Sequence, residues 1–337
     1  MKRSQMLLAF GLVFVIFPMA TAQSNSWNAY MLRGDQSLQQ GRYAEAESSY
    51  RAALFQLDRS DSRDPRRPLT LNNLALVYRI KGQYMQAEPL YKQALGASET
   101  VFGPDDPQTA TIANNLAELY RMQGRYSKAE PLYLRALAIR EKVLGSKHEG
   151  VAVVLNNLGS LYRSLRRYSQ AEDVYRRAQR ISEDNFGPVH PDVATSLDNR
   201  GTLFYVQARY AEADGLFVRA LEIREKVRGP DHPEVATTLN HLSTLYCAQH
   251  RYREAEPLIQ RSINILERTL GPRHPEYAQS LRIYATVLRK TKRKAEAAKL
   301  ELRARNILAE HAQQNPATVD MHDLLPARQH GRDATPK

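Results

Sequence analysis

The chain has 337 residues, 42% hydrophobic and 25% charged, with a formal net charge of +12. That balance excludes a low-complexity chain, and the single cysteine, Cys247, excludes an intrachain disulfide, so stability must come from packing. The positive charge favours acidic partners or anionic surfaces, or serves solubility alone.

The first residues differ from the rest. Lys2 and Arg3 precede the apolar run "MLLAFGLVFVIF", and Ala20-Thr21-Ala22 has the small-x-small form of a signal-peptidase site. Residues 1–22 therefore read as a signal peptide cut between Ala22 and Gln23, with the product exported to the periplasm or secreted. The run is short for a membrane span and Pro18 interrupts it. An uncleaved N-terminal anchor is the alternative.

From residue 28 onward the chain repeats. Gly103, Gly145, Gly187, Gly229 and Gly271 recur every 42 residues, four of them followed by proline. Two helical patterns lie between successive marks. Leu71, Leu74, Ala75 and Tyr78 share one helix face, which ends at Gly82 in "KGQY". Ala87, Leu90, Tyr91, Ala94 and Leu95 share a second, and Pro89, Pro131 and Pro257 are expected in the first turn of this helix, where amide donors are unpaired anyway. Small residues recur at Ala75, Ala117, Gly159, Gly201, Ser243 and Ala285, and at Ala87, Ala129, Ala171, Ala213, Ala255 and Ala297. Large ones recur at Tyr78, Tyr120, Tyr162, Phe204 and Tyr246, so small can face large between helices.

A small residue, an aromatic three places on, a G-x-Y turn and an alanine twelve after the first small residue resemble the tetratricopeptide repeat. The phrases "GPDHPEVATTLN", "LNNLA" and "YxEAEPLY" are similar to the kinesin-light-chain subtype. The resemblance implies an all-α solenoid of about seven units, near 28–60, 61–102, 103–144, 145–186, 187–228, 229–270 and 271–310, within a solenoid spanning 23–310. One helix pair cannot bury its apolar face alone, so units stack into a superhelix with a concave face lined by the first helices. Lys294 and Glu301 replace aromatics in the last unit, which reads as a solvated cap. Residues 311–337 lack periodicity and read as a disordered tail.

Two polar columns recur along the first helices. Asn73, Asn115, Asn157 and Asn199 form one, continued by His241; Asn72, Asn114, Asn156, Asp198 and Asn240 stand just before. An amide offers two donors and an acceptor, so a row of them suits peptide backbone of any sequence. The resemblance implies that asparagines at this place reach bound peptide; bonding between neighbouring helices is the alternative. Arg79, Arg121, Arg163 and Arg289 hold a further place, and guanidinium forks pair with carboxylates, which points to an acidic ligand or to solvated surface charge. The clamp that some relatives use for C-terminal carboxylates needs lysine where this chain has Asn72, Asn114 and Asn156, so that activity is not implied.

His148, His190, His232 and His274 recur 42 residues apart. Helices pack about 8–10 Å apart and metal–nitrogen bonds are about 2 Å, so these are read as helix-start residues rather than ligands. Cys247 occupies the arginine place and reads as a small groove residue, a reactive thiol being the alternative. Arg200 stands where Leu74, Leu116, Leu158 and Leu242 do, and Arg166, Ala208 and His250 replace the turn glycine, so the fifth unit is expected to be looser or to present Arg200. No phosphate-cradling loop, metal spacing or nucleophile motif is present. The expected function is a non-enzymatic adaptor without cofactor, binding a peptide or protein segment in its groove. The alternatives are a membrane-anchored form of it, or a binder of nucleic acid or another anionic polymer.

Overall fold

The structure, a computed structural model, describes residues 22–57 and 63–314. Its helices are α1 (Ala22–Gln39), α2 (Tyr43–Leu57), α3 (Arg66–Ile80), α4 (Tyr84–Val101), α5 (Pro107–Met122), α6 (Tyr126–Leu144) and α7 (Glu149–Ser164). They continue as α8 (Tyr168–Phe186), α9 (Pro191–Val206), α10 (Tyr210–Arg228), α11 (Pro233–Ala248), α12 (Tyr252–Thr269), α13 (Pro275–Lys290) and α14 (Lys294–Gln314). There is no strand among the described residues, and consecutive helices pair into seven units. The signal-peptide reading falls on residues 1–21, outside the described residues, and Ala22 and Gln23 open α1. Helix α14 runs past the expected boundary at 310 to Gln314; the rest of the tail, 315–337, lies outside the described residues. None of the described helices is long and apolar enough to cross a membrane.

Each second helix packs on its own partner and on the first helix of the next unit. First helices of successive units also touch one another, while second helices stand further apart. The stack therefore curves with the first helices on its inner face. Tyr91, Tyr133, Tyr175 and Phe217 drive rings from the second helices onto the small places of the first, and all four are almost fully buried. The fit is close: a Cβ on Gly159 would lie 2.5 Å from the Tyr175 ring, and one on Gly201 2.6 Å from Phe217.

The outer second helices are joined by charge. Arg135 reaches Glu99 (2.6 Å), Arg219 reaches Glu183 (2.8 Å) and Arg261 reaches Glu225 (2.5 Å), with Arg177–Glu141 in the same series. Arginines at the turns form a second series, Arg125 to Glu88 (2.6 Å), Arg167 to Glu130 (2.7 Å) and Arg293 to Glu256 (2.6 Å). These turn arginines also cover the large aromatics: Arg125 lies 4.4 Å from the Tyr120 ring centre, Arg209 3.9 Å from Phe204 and Arg251 4.0 Å from Tyr246.

Two local expectations need correction. Pro89, Pro131 and Pro257 lie inside their helices, beyond the first turn, because those helices begin directly after the turn, at Tyr84, Tyr126 and Tyr252. At Pro89 the carbonyl of Met85 loses its intrahelical donor, at a residue that is 73% exposed. The turns of the later units are also not loosened by the lost glycine. Arg166, Ala208 and His250 adopt φ of 58°, 59° and 61°, close to the 71° of Gly82. The inter-helix turn imposes the left-handed conformation on residues that resist it, at a cost of about 1–2 kcal/mol each.

His148, His190, His232 and His274 are N-caps. Their Nδ1 atoms accept from the amides of Gly150 (3.0 Å), Asp192 (3.3 Å), Glu234 (3.2 Å) and Glu276 (3.2 Å). Asp106 does the same for Gln108 at 2.7 Å. An imidazole accepts only when that nitrogen is unprotonated. Burial holds His232 and His274 below their ordinary pKa, helped at His274 by His311 and at His232 by Arg228 and Arg224 against Glu234. A lowered folded pKa means that these caps stabilise fully above about pH 6.5 and fail as pH drops through the folded values. Thermal melts of wild type should lose stability as pH falls below about 6.5. A H232D/H274D variant, capped as Asp106 caps α5, should lose less over that range.

Candidate functional site: the inner face

The first helices bring the two asparagine columns together along the inner face, and the columns bond to each other. Asn115 Nδ2 donates to Asn72 Oδ1 of the preceding unit at 2.9 Å, Asn157 to Asn114 at 3.0 Å and Asn199 to Asn156 at 3.4 Å. Asn73 donates to Asp35 at 3.4 Å, and His241 Nδ1 lies 3.4 Å from Asp198 Oδ1. Asn240 leaves this pattern and donates to Ser280 Oγ at 2.9 Å. The ladder thus holds successive units in register. It also spends the amides unevenly. Asn73 and Asn115 accept from Asn72 (3.1 Å) and Asn114 (3.5 Å), whereas Asn156 turns to Ser196 at 3.2 Å. Asn157 and Asn199 are half-buried, and among the described residues nothing donates to their side-chain oxygens.

The arginine column is just as uneven. Arg121 grips Glu118 with two bonds of 2.8 and 2.7 Å, and Tyr133 donates to the same carboxylate at 2.6 Å. Burial acts to raise the Glu118 pKa, but Arg121 and Arg79 outweigh it and hold the carboxyl below its usual range. Arg79 is steered by Tyr91 and Glu118, with Nη1 3.5 Å from Met122 Sδ and Nε buried without a partner. A carboxylate of the chain itself therefore sits where a ligand's would meet these two arginines. Arg289 is likewise paired with Glu301. Arg163 differs: Ser160 stands at the Glu118 place, bonded to Tyr175 Oη at 3.0 Å, and Arg163 Nε is buried and unpartnered. Burial pushes the half-buried Cys247 thiol up to about 11, so it is a weak nucleophile at neutral pH.

Glu118 and the Tyr133 hydroxyl that reaches it were not singled out from the sequence. The available signal was that Glu118 breaks a column of Ser160, Thr202, Thr244 and Thr286. The buried cluster of Arg224, Asp198 and Thr238 was also missed; Asp198 replaces asparagine, but its partner lies on another helix. Open capacity on the inner face is thus concentrated at Asn157, Arg163 and Asn199, on α7 and α9.

Comparison with known proteins agrees with this architecture. The tetratricopeptide-repeat family matches residues 66–142, 123–184, 151–226, 192–268 and 234–310, and a second tetratricopeptide-repeat description matches 20–65. No curated protein matches the chain significantly in sequence. Among solved structures, a Rap protein complexed with Competence and Sporulation Factor superposes with a TM-score of 0.67 at 17% identity, covering 88% of this chain and 78% of that one. The Rap conjugation gene regulator of the plasmid pLS20, in complex with the Phr* peptide, gives 0.65 at 13% identity, with 88% and 77% covered. A Podosopora anserina putative kinesin light chain of nearly identical TPR-like repeats gives 0.50 at 22% identity, covering 61% of this chain and 97% of that one. With family matches running from residue 20 to residue 310 and seven helix pairs stacked in order, the chain belongs to the tetratricopeptide-repeat family.

Proposed function

We infer that this protein is a non-enzymatic scaffold that holds an extended peptide or protein segment against the inner face of α7 and α9. The observation that carries the reading is the unspent capacity there: two half-buried amide oxygens, on Asn157 of α7 and Asn199 of α9, and on α7 an arginine, Arg163, whose buried Nε has no partner. Amide oxygens accept from peptide N–H groups and the guanidinium takes a carboxylate, so the preferred ligand is an extended segment with an acidic residue. Two solved Rap structures with similar stacks hold, by their descriptions, Competence and Sporulation Factor and the Phr* peptide, which supports a peptide ligand. We read the 42-residue spacing as that of the kinesin-light-chain subtype, a reading that the "LNNLA" and "AEPLY" phrases support. The leader would deliver the scaffold to the periplasm or outside the cell, cleaved before Gln23. N-terminal sequencing of the mature protein reads Gln23 if so, and Met1 if the segment stays as an anchor.

A paired capture tests the groove. Residues 23–337 and the same protein with N157A, R163A and N199A are exposed to the exported fraction of the source, and circular dichroism confirms that both are helical. A partner retained by the first and lost by the second supports the reading. Identical capture by both sinks it. Capture of nucleic acid, falling steeply with salt, would favour the anionic-polymer alternative.

A further inference from the structure

On the outer face, a cleft lies between the second helices α2 and α4, floored by the first helix α3. It encloses about 370 Å³ and is lined by Arg51, Leu54, Phe55, Leu74, Tyr78 and Leu90. The equivalent residues between α8 and α10, following the repeat, are Arg176, Gln179, Arg180, Arg200, Phe204 and Leu216. The leucine pair on the cleft floor, which recurs as Leu95 with Leu116, Leu137 with Leu158 and Leu221 with Leu242, has become Gln179 with Arg200. Both partners changed together, and they bond: Arg200 Nη1 donates to Gln179 Oε1 at 2.5 Å.

That bond does not neutralise Arg200. Gln179 passes the contact on to Glu183 at 3.0 Å, but Glu183 is already held by Arg219 at 2.8 Å. Glu172 is shared by Arg176 (2.8 Å) and Arg209 (3.2 Å), and Arg209 also grips Glu212 at 2.5 Å. Arg200 and the exposed Arg180 are left without an ion pair among the described residues, and Arg200 Nε is buried with no hydrogen-bond partner. Burial and the charge of Arg176 act against the Arg200 cation and outweigh the support of Glu172 and Glu183, so its pKa is lowered. Leucine would serve packing better at this place, as four other units show, so the arginine is retained at a cost that an anion would offset.

We propose that the outer cleft between α8 and α10 is an oxyanion site in which Arg200, with Arg176 and Arg180 at its rim, takes a phosphate or carboxylate group. Arginine forks match both oxyanions geometrically. The site faces away from the inner groove, so it stands or falls independently of the peptide reading.

Isothermal titration calorimetry of the full chain at low ionic strength, with inorganic phosphate and with glutarate as separate probes, tests it. At least one probe should bind wild type with one-to-one stoichiometry. Binding should weaken at least tenfold in Q179L/R200L, which restores the leucine pair of the other units and keeps the core packed. An independent variant, R180S, should weaken it without touching the core. A response to phosphate alone assigns a phosphate, and one to glutarate alone a carboxylate. Absence of binding to wild type, or unchanged binding in the well-folded Q179L/R200L protein, overturns the proposal.

Discussion

Asp198→Ala should lower the unfolding free energy by about 3–5 kcal/mol in urea denaturation, the cost of breaking a buried ion pair from one side. Asp198 is 5% exposed and Arg224 is 6% exposed, and the two are in direct contact. Thr238 donates to Asp198 Oδ2 at 3.1 Å and His241 approaches Oδ1 at 3.4 Å. Alanine would leave the Arg224 guanidinium in the core without its buried partner, with only the half-exposed Glu234 carboxylate 3.8 Å from Nε. The cost belongs to the stranded charge rather than to the bond, which a second variant shows. D198N/R224S gives the fifth unit the asparagine of Asn156 and the serine of Ser182, and should recover most of the loss. Equal losses in the single and double variants would refute this account. Arg140, at the same place two units earlier, illustrates the strain of an unpaired guanidinium: burial alone pulls it down to about 10. Burial acts to raise Asp198, but His241 and Arg224 outweigh it and hold its carboxyl below the usual range. A depressed folded pKa means that the contribution is complete above about pH 4 and is lost as pH falls through the folded value. Wild type and D198N/R224S should therefore differ most in their acid limbs.

Tyr133→Ala should cost about 3–5 kcal/mol, measured the same way. The side chain is fully buried, and its ring fills the space beside Ala117 where α6 crosses α5. Truncation opens a cavity that neighbouring units, packed on both sides, cannot close. Its hydroxyl adds a second term by donating to Glu118 at 2.6 Å. Tyr133→Phe isolates that term and should cost about 1.5–3 kcal/mol, the range for hydrogen bonds to charged groups. Two other units show the same coupling, and a third departs from it, because Tyr91 keeps a hydroxyl opposite Leu76 that is buried without a partner. Where phenylalanine replaces tyrosine, at Phe217, the Glu118 place is Thr202, and where isoleucine does, at Ile259, it is Thr244. Tyr133→Phe as costly as Tyr133→Ala would mean that packing contributes little; no cost for Tyr133→Phe would mean that Glu118 needs no donor from α6.

Much of the fold was legible from the chain, because a repeat states each requirement several times. Two helices per unit follow from the spacing of Leu71, Leu74 and Tyr78 and of Ala87, Tyr91 and Ala94, and the stacking order follows from the period. The small places and their large partners are also a matter of period and size, since Gly159 admits a ring that a Cβ would strike. The helix-start role of His148, His190, His232 and His274 was legible too, because metal geometry excludes residues one unit apart. Even the arrival of Arg200 on the cleft floor could be read from the leucine column it interrupts.

What the period could not tell was which polar atoms remain free. Asn73 and Asn157 occupy equivalent places, yet the oxygen of one accepts from Asn72 and that of the other from nothing described. Arg121 and Arg163 are equivalent too, and only the first has a carboxylate in its grip. Turn conformation was likewise decided by the stack, which holds Ala208 and His250 in the left-handed region that their side chains disfavour. By itself the sequence determined where each helix lies and which residues share a face, because those depend on spacing along one chain. Only the tertiary structure decided which of those residues can still bind something. A hydrogen bond forms or fails within about 3 Å, and at that range the deciding neighbour comes from another helix, often another unit.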